Sequence, residues 1–175
     1  MPWINHLAVP RASEYRFIGH FGDDQMPRTK GWDLRVMESL SENLFCFGDD
    51  LYPGRPTGSL CCHIFADSAV IRELGYFGPP SIKHMYVDPV WLAWGEATSI
   101  EFLDSVILEH MHYSAGKSRV DETYAASYRE TQHDLEAFNE YMRTDFNSDV
   151  EKLRGIPFSD EQRAEFNVRL NIPQT

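Results

Sequence analysis

The sequence is poor in cysteine, in basic residues and in long apolar runs. Its three cysteines, Cys46, Cys61 and Cys62, are odd in number, and two are adjacent. That matches neither a disulfide framework nor the paired spacing of a structural zinc site, so a reducing, cytoplasmic setting is expected. No apolar run approaches the roughly 20 residues that a membrane helix needs, so no membrane partner is expected. The opening MPWINHLAVPR has no basic start followed by an apolar stretch, so no secretory signal is expected. Sixteen Lys and Arg stand against 27 Asp and Glu, a formal charge of −11. Such an average field repels a nucleic-acid backbone, and no nucleic-acid partner is expected. The acids are interspersed with bases and aromatics, as on a solvated acidic surface.

What is present suits one domain of ordinary size: 175 residues, 42% hydrophobic and 13% aromatic. INHLAVP is short, apolar and stopped by Pro10, which predicts a strand. ASEYRFIGHFG fits a short helix or a strand. GWDLRVMESLSENL places Trp32, Val36, Met37 and Leu40 on one helical face. NLFCF and SLCCHIF are β-rich runs on either side of a Pro/Gly-rich connection, which predicts a hairpin of 44–47 with 59–65. SIKHMYV reads as a further strand, ended by Asp88-Pro89. The clearest helix is expected over 96–112, where Ile100, Leu103, Ile107 and Met111 recur at helical spacing and Gly116 follows as a stop. A second helix is expected over 133–146, with Leu135, Phe138 and Met142 on one side and NSDVEKLRG as an extension. RAEFNVRL alternates Ala164, Phe166, Val168 and Leu170, which is strand spacing.

Phe-Gly-Asp-Asp occurs twice, at 21–24 and at 47–50. A polymerase-type carboxylate pair needs further acids to hold two metal ions, and a calcium loop needs more oxygen ligands than DDLYPGRPTG offers. The expectation is a strand running into a polar turn, with Asp49 and Asp50 solvated and no metal bound. Glu109-His110-Met111-His112 and Glu130-Thr131-Gln132-His133 are both Glu-x-x-His, the helical spacing that holds di-metal centres in bundles. The β-rich first half argues against a bundle, so these are read as solvated helix faces. On an alternating strand Cys61 and His63 share a face; burial explains the cysteines better than nucleophilic catalysis does. Trp91 and Trp94 suit an acyl or peptide pocket and a core cap equally well.

Three stretches resemble one enzyme family. GRPTGSLCC is similar to the β2–β3 turn of the GNAT (N-acetyltransferase) superfamily. IKHMYVDPVWLAWGEATSIEFLDSVI resembles the family's signature region, where an apolar strand ends in Val-x-Pro and a Gly-containing loop opens a long helix. Val87 and Pro89 stand in place there, and Gly95 and Ala97 fall at the last two loop positions. DLEAFNEYMRTDF gives Asp134, Ala137, Tyr141, Asp145 and Phe146 at the offsets of a third family segment. The resemblance spans about 7–146. It implies an α/β (α+β) fold, with a mixed central sheet and flanking helices over 1–146. An acidic helical segment over 147–175 would pack on or continue the same domain. ETYAASY is then the best candidate for the family's fifth strand.

By that resemblance the activity is transfer of an acyl group from acetyl-CoA or another acyl-CoA to an amine on a small molecule or a protein. The pantetheine arm would pair with the splayed strand, and the pyrophosphate would meet the backbone N–H groups of the following helix start. Met85, Val87, Trp94, Gly95, Ala97 and Thr98 are the implied cofactor-binding residues. Tyr141 is the implied acid for the leaving thiolate, and His84 the candidate base. The loop departs from the family pattern. Leu92 replaces the usual Arg or Gln, Ala93-Trp94 replaces the first glycine region, and Glu96 with nearby Asp88 would face a pyrophosphate. These departures point to an alternative: a catalytically silent structural or interaction protein, such as a viral particle component or an inhibitor, with a protein partner.

Overall fold

The computed structural model describes residues 2–120, 122 and 128–157. In chain order these form α1 (Pro2–Arg11), β1 (Phe17–His20), β2 (Gln25–Pro27), α2 (Trp32–Glu42), β3 (Phe45–Asp49), β4 (Ile64–Asp67), α3 (Ser68–Leu74), α4 (Val87–Ala97), β5 (Ile100–His110), a 3-10 turn (Tyr113–Ala115), α5 (Thr131–Thr144) and α6 (Phe146–Arg154). The strands make one mixed sheet in the order β1-β4-β3-β5-β2. β3 and β5 run parallel and the other neighbours are antiparallel. The architecture is α/β in the general sense, with helices on both faces of the sheet. No helix among the described residues is long and apolar enough to cross a membrane.

β3 occupies the middle of the sheet because it is apolar on both faces. Its alternation sends Phe45 and Phe47 to one side and Cys46 to the other. The larger core lies on the Phe45 side, where α1, α3, α4 and α6 contribute Ile4, Val70, Trp91, Trp94 and Leu153. The smaller one, on the Cys46 side, is closed by Val36 and Leu40 of α2 over Phe65, Val106 and Leu108. Trp91 and Trp94 are fully buried, and both indole N–H groups are satisfied: Trp91 donates to the Phe77 carbonyl at 2.7 Å and Trp94 to the Tyr141 hydroxyl at 2.8 Å.

Several elements match expectation. α2 buries Val36 and Leu40, although Met37 of the expected face is 52% exposed. α5 covers the helix expected over 133–146, and NSDVEKLRG falls largely in a separate helix, α6. β3 and β4 pair antiparallel as the hairpin reading requires, but β4 begins only at Ile64, so Ser59 to His63 is loop. Cys61 and His63 therefore do not share a strand face. α6 places Val150 and Leu153 in the main core.

Three assignments are corrected. INHLAVP is helical, because Ile4, Ala8 and Ala12 form a buried stripe at four-residue spacing and Pro10 falls in the last turn of α1. The expected strand over 81–87 is absent; helix α4 starts at Val87 instead. Pro89 sits in its first turn, where the missing N–H is tolerated, and Val87, Val90, Trp91 and Trp94 make its buried face. The expected helix over 96–112 is the strand β5. Its β-branched and aromatic residues pair with β3 at Ile100–Leu103 and with β2 at Leu108–His110. The strands expected at 122–128 and 163–170 lie outside the described residues, except for Glu122 and Tyr128.

Candidate metal-binding site

The two Gly-Asp-Asp copies flank one strand end. β5 lies between β3 and β2. The second copy closes β3, and the first runs into β2. The backbone ties all three together: His110 N–H donates to the Asp50 carbonyl at 2.9 Å and Met111 N–H to the Asp24 carbonyl at 2.7 Å. A bulge sets this alignment. The β3–β5 register jumps from Gly48↔Leu103 to Asp49↔Ile107. Gly48 is required there, since a Cβ would strike the Val106 carbonyl oxygen and lie 3.1 Å from its Cγ1.

His110 is consequently held between two carboxylates. Its Nε2 lies 3.1 Å from Asp24 Oδ2, and its Nδ1 lies 3.9 Å from Asp50 Oδ2. A carboxylate only accepts, so Nε2 donates to Asp24 Oδ2, and the ring is thereby turned with Nδ1 toward Asp50. Nδ1 is buried and has no hydrogen-bond partner among the described residues. The Sγ of Cys62 completes the group: one ligand atom each from Asp50, Cys62 and His110 lie within 4.8 Å of one another.

The loop after β3 supplies the rest. Asp50 Oδ1 accepts from Tyr52 N–H at 3.1 Å, an Asx turn that starts the connection. Asp50 is 8% exposed rather than solvated, which corrects the expectation for this residue. The Arg55 guanidinium pairs with Asp50 Oδ2, donates to Cys62 Sγ at 3.2 Å, and lies 4.5 Å over the Tyr52 ring. Gln25 anchors the return, with its Nε2 donating to the Cys62 carbonyl at 3.1 Å. His63 is fully buried, and its Nε2 accepts from Gly48 N–H at 2.9 Å, pinning the loop to the bulge. Burial holds that imidazole down to about 4, so it stays neutral. Burial pushes the Cys62 thiol up, as does the neighbouring Asp88, against the pull of Arg55. Asp88 contacts the Cys62 thiol, and burial pushes its carboxyl up to about 7. His112 stacks edge-on to His110 at 5.0 Å and bonds Ser114 Oγ through Nδ1 at 2.7 Å.

The Glu-x-x-His pairs do not gather. On strand β5, Glu109 turns to Lys117 and Arg28, at 2.9 and 2.8 Å, away from His112. Glu130 pairs with Lys83, and His133 with Asp134. The residues implied as an acyl-CoA site are placed differently from the expected grip. Val87 opens α4 rather than ending a strand, while Gly95, Ala97 and exposed Glu96 lie in the helix's last turn, so no helix start points at them. A Cβ on Gly95 would meet Ile100 at 2.6 Å, so its role is close packing. Thr98 Oγ1 returns to the Trp94 carbonyl at 2.7 Å. Met85 and His84 donate their backbone N–H groups to Asp134 Oδ2 at 2.7 and 2.8 Å, and His84 is exposed. Tyr141 does meet Trp94, but inside the core. It is 4% exposed and donates to Asp149 Oδ2 at 2.8 Å; burial and that carboxylate push its hydroxyl well above the ordinary value.

Asp24, Arg55, Cys62 and His110 were not singled out by sequence reasoning as a site. The available signal was the duplicated Phe-Gly-Asp-Asp with Glu-His-Met-His, three pieces that only the sheet brings together. Compared with protein-family models, curated proteins and solved structures, the chain matches none of them.

Proposed function

We propose that this protein is a divalent-metal-dependent enzyme whose centre is built on Asp50, Cys62 and His110, with Asp24 fixing the imidazole. The observation that carries this reading is the buried Nδ1 of His110, which makes no hydrogen bond among the described residues and is held toward Asp50 by the carboxylate behind it. Carboxylate–histidine pairs of this kind orient a ligand and raise its basicity. Three protein ligands leave a coordination position for a water or a substrate oxygen, which is the arrangement of a Lewis-acid centre for hydrolysis or group transfer. Titration calorimetry of the full chain with divalent transition metals tests this. One-to-one binding is expected, lost in Asp50→Asn and His110→Ala and weakened about 10- to 100-fold in Asp24→Asn. Binding that ignores all three substitutions would contradict it.

Acyl transfer from acetyl-CoA to an amine is the second reading, favoured by the GNAT-like residues of the sequence, including Val87, Pro89, Gly95 and Tyr141. Titration with acetyl-CoA separates the two. Saturable binding that is lost in Gly95→Glu would support acyl transfer. A chain that takes neither metal nor acetyl-CoA would fit the catalytically silent interaction protein.

A further inference from the structure

We propose that Cys62 binds the metal as a thiolate and makes the centre selective for zinc-class ions, and that Arg55 is the resident cation which the metal displaces. This rests on the metal-centre reading above and identifies the metal and the element that competes with it.

The ligand set is one carboxylate oxygen, one sulfur and one imidazole nitrogen. Magnesium and calcium take oxygen ligands almost exclusively, whereas a thiolate favours zinc, cobalt and other softer ions. Ligand atoms around tetrahedral zinc sit about 3.5 Å apart, given bond lengths of about 2.0–2.3 Å. The three atoms here lie within 4.8 Å of one another, so movements of about 1 Å close the set. Asp24 engages Nε2 of His110, which leaves Nδ1 as the nitrogen turned toward Asp50 and the metal position.

Arg55 lies where a cation is wanted. Its Nη2 contacts Asp50 Oδ2 and lies 3.2 Å from Cys62 Sγ, so one guanidinium bridges two of the three ligands. It neutralises Asp50 until a metal arrives. Its loop is built from turn residues, Pro53, Gly54 at φ 86°, Pro56 and Gly58 at φ 74°, with little regular pairing to resist a side-chain swing. The Tyr52 ring, 4.5 Å away, offers the displaced guanidinium a second partner. In the exchange the metal forms bonds to Asp50 Oδ2, Cys62 Sγ and His110 Nδ1. The thiol proton leaves to buffer, and the Arg55–Asp50 ion pair breaks.

The test uses the full metal-free chain titrated with Zn²⁺, Co²⁺, Mn²⁺ and Mg²⁺ in two buffers of different ionisation enthalpy. Zn²⁺ is expected to bind roughly 100-fold or more tighter than Mn²⁺, with about one proton released. The Co²⁺ complex is expected to show thiolate-to-metal charge-transfer absorption in the near ultraviolet. Cys62→Ser should abolish that absorption and the released proton and erase the preference for Zn²⁺ over Mn²⁺. Arg55→Gln should tighten Zn²⁺ binding about tenfold, the effect of removing one competing charge. If Cys62→Ser folds poorly, the Co²⁺ spectrum of the unaltered chain decides alone. Metal binding that depends on Asp50 and His110 but shows no thiolate band, or that favours Mg²⁺, would overturn this inference and leave the metal centre standing. Zinc affinity unchanged or weakened in Arg55→Gln would overturn the role of Arg55. No binding of any ion would overturn the metal-centre reading itself.

Discussion

Two groups of buried carboxylates divide the molecule. In the helical layer, Asp134 is 0% exposed and accepts from the backbone N–H groups of Lys83, His84 and Met85 and from His133. Asp149, 2% exposed, accepts from the hydroxyls of Tyr76 and Tyr141 and from Lys152. At the end of the sheet, Asp50 is nearly as buried, yet it faces a histidine nitrogen that makes no hydrogen bond among the described residues and shares one arginine with a thiol. A fully satisfied polar network fixes structure, here by clamping the 83–85 turn and the α5–α6 corner. An under-satisfied one is costly to keep, and the metal-centre proposal supplies the ligand that would complete it.

The largest effect expected from this contrast is on stability. Asp134→Asn turns an amide N–H₂ toward donors that need an acceptor and should cost about 3 kcal/mol in urea unfolding. Asp50→Asn keeps the Tyr52 contact and loses a single ion pair to Arg55, which retains its Cys62 and Tyr52 contacts, so a smaller cost of about 1–2 kcal/mol is expected. Equal costs would break the comparison. Gly48→Ala comes next. The new methyl meets the Val106 carbonyl, so the β5 bulge must shift, at about 2 kcal/mol. His110 should move with it, so the same variant should lose metal affinity; retained affinity would separate the bulge from the site.

The pH dependence sharpens the contrast. Burial pushes the Asp134 carboxyl up, but the Lys83, His84 and Met85 N–H groups and His133 outweigh it and hold the folded value below the usual carboxylate range. The unfolded chain therefore binds this proton first as pH falls. The stabilisation is complete above the unfolded value near 4 and is lost as pH drops through the folded one, and Asp134→Asn should flatten that acid limb. His20, between the Trp3 and Trp91 rings, is held by burial down to about 4. It is neutral in the fold while the unfolded imidazole protonates near 6.5, so about 3 kcal/mol should disappear as the pH falls from neutral to 4. His20→Phe should remove that slope. The smallest effect is expected at Met37, 52% exposed on α2, where Met37→Lys should change stability by less than about 0.5 kcal/mol.

The sequence was legible where one periodicity ruled. α2 and α5 each bury one face, and their spacing announced them. β5 was illegible because Ile100, Leu103, Ile107 and Met111 repeat at helical spacing by coincidence. The bulge beside Gly48 also breaks the alternation that would have marked a strand. α4 was hidden because Pro89 looks like the end of a strand, although a proline in a first helical turn is equally natural. The site itself was half visible. The repeated Gly-Asp-Asp was conspicuous, but each copy alone is ordinary turn chemistry. Its meaning depends on Asp24, His110 and the pair Asp50 and Cys62 arriving from three separate segments, which the parallel β3–β5 pairing accomplishes and no local pattern encodes.

The central claim is most directly tested by anomalous diffraction from crystals of the full chain equilibrated with Zn²⁺, recorded on both sides of the zinc absorption edge. The expected result is one peak within about 2.0–2.3 Å of Asp50 Oδ2, Cys62 Sγ and His110 Nδ1, with Arg55 turned toward Tyr52. No peak at these three atoms, with Arg55 still on Asp50, would contradict it.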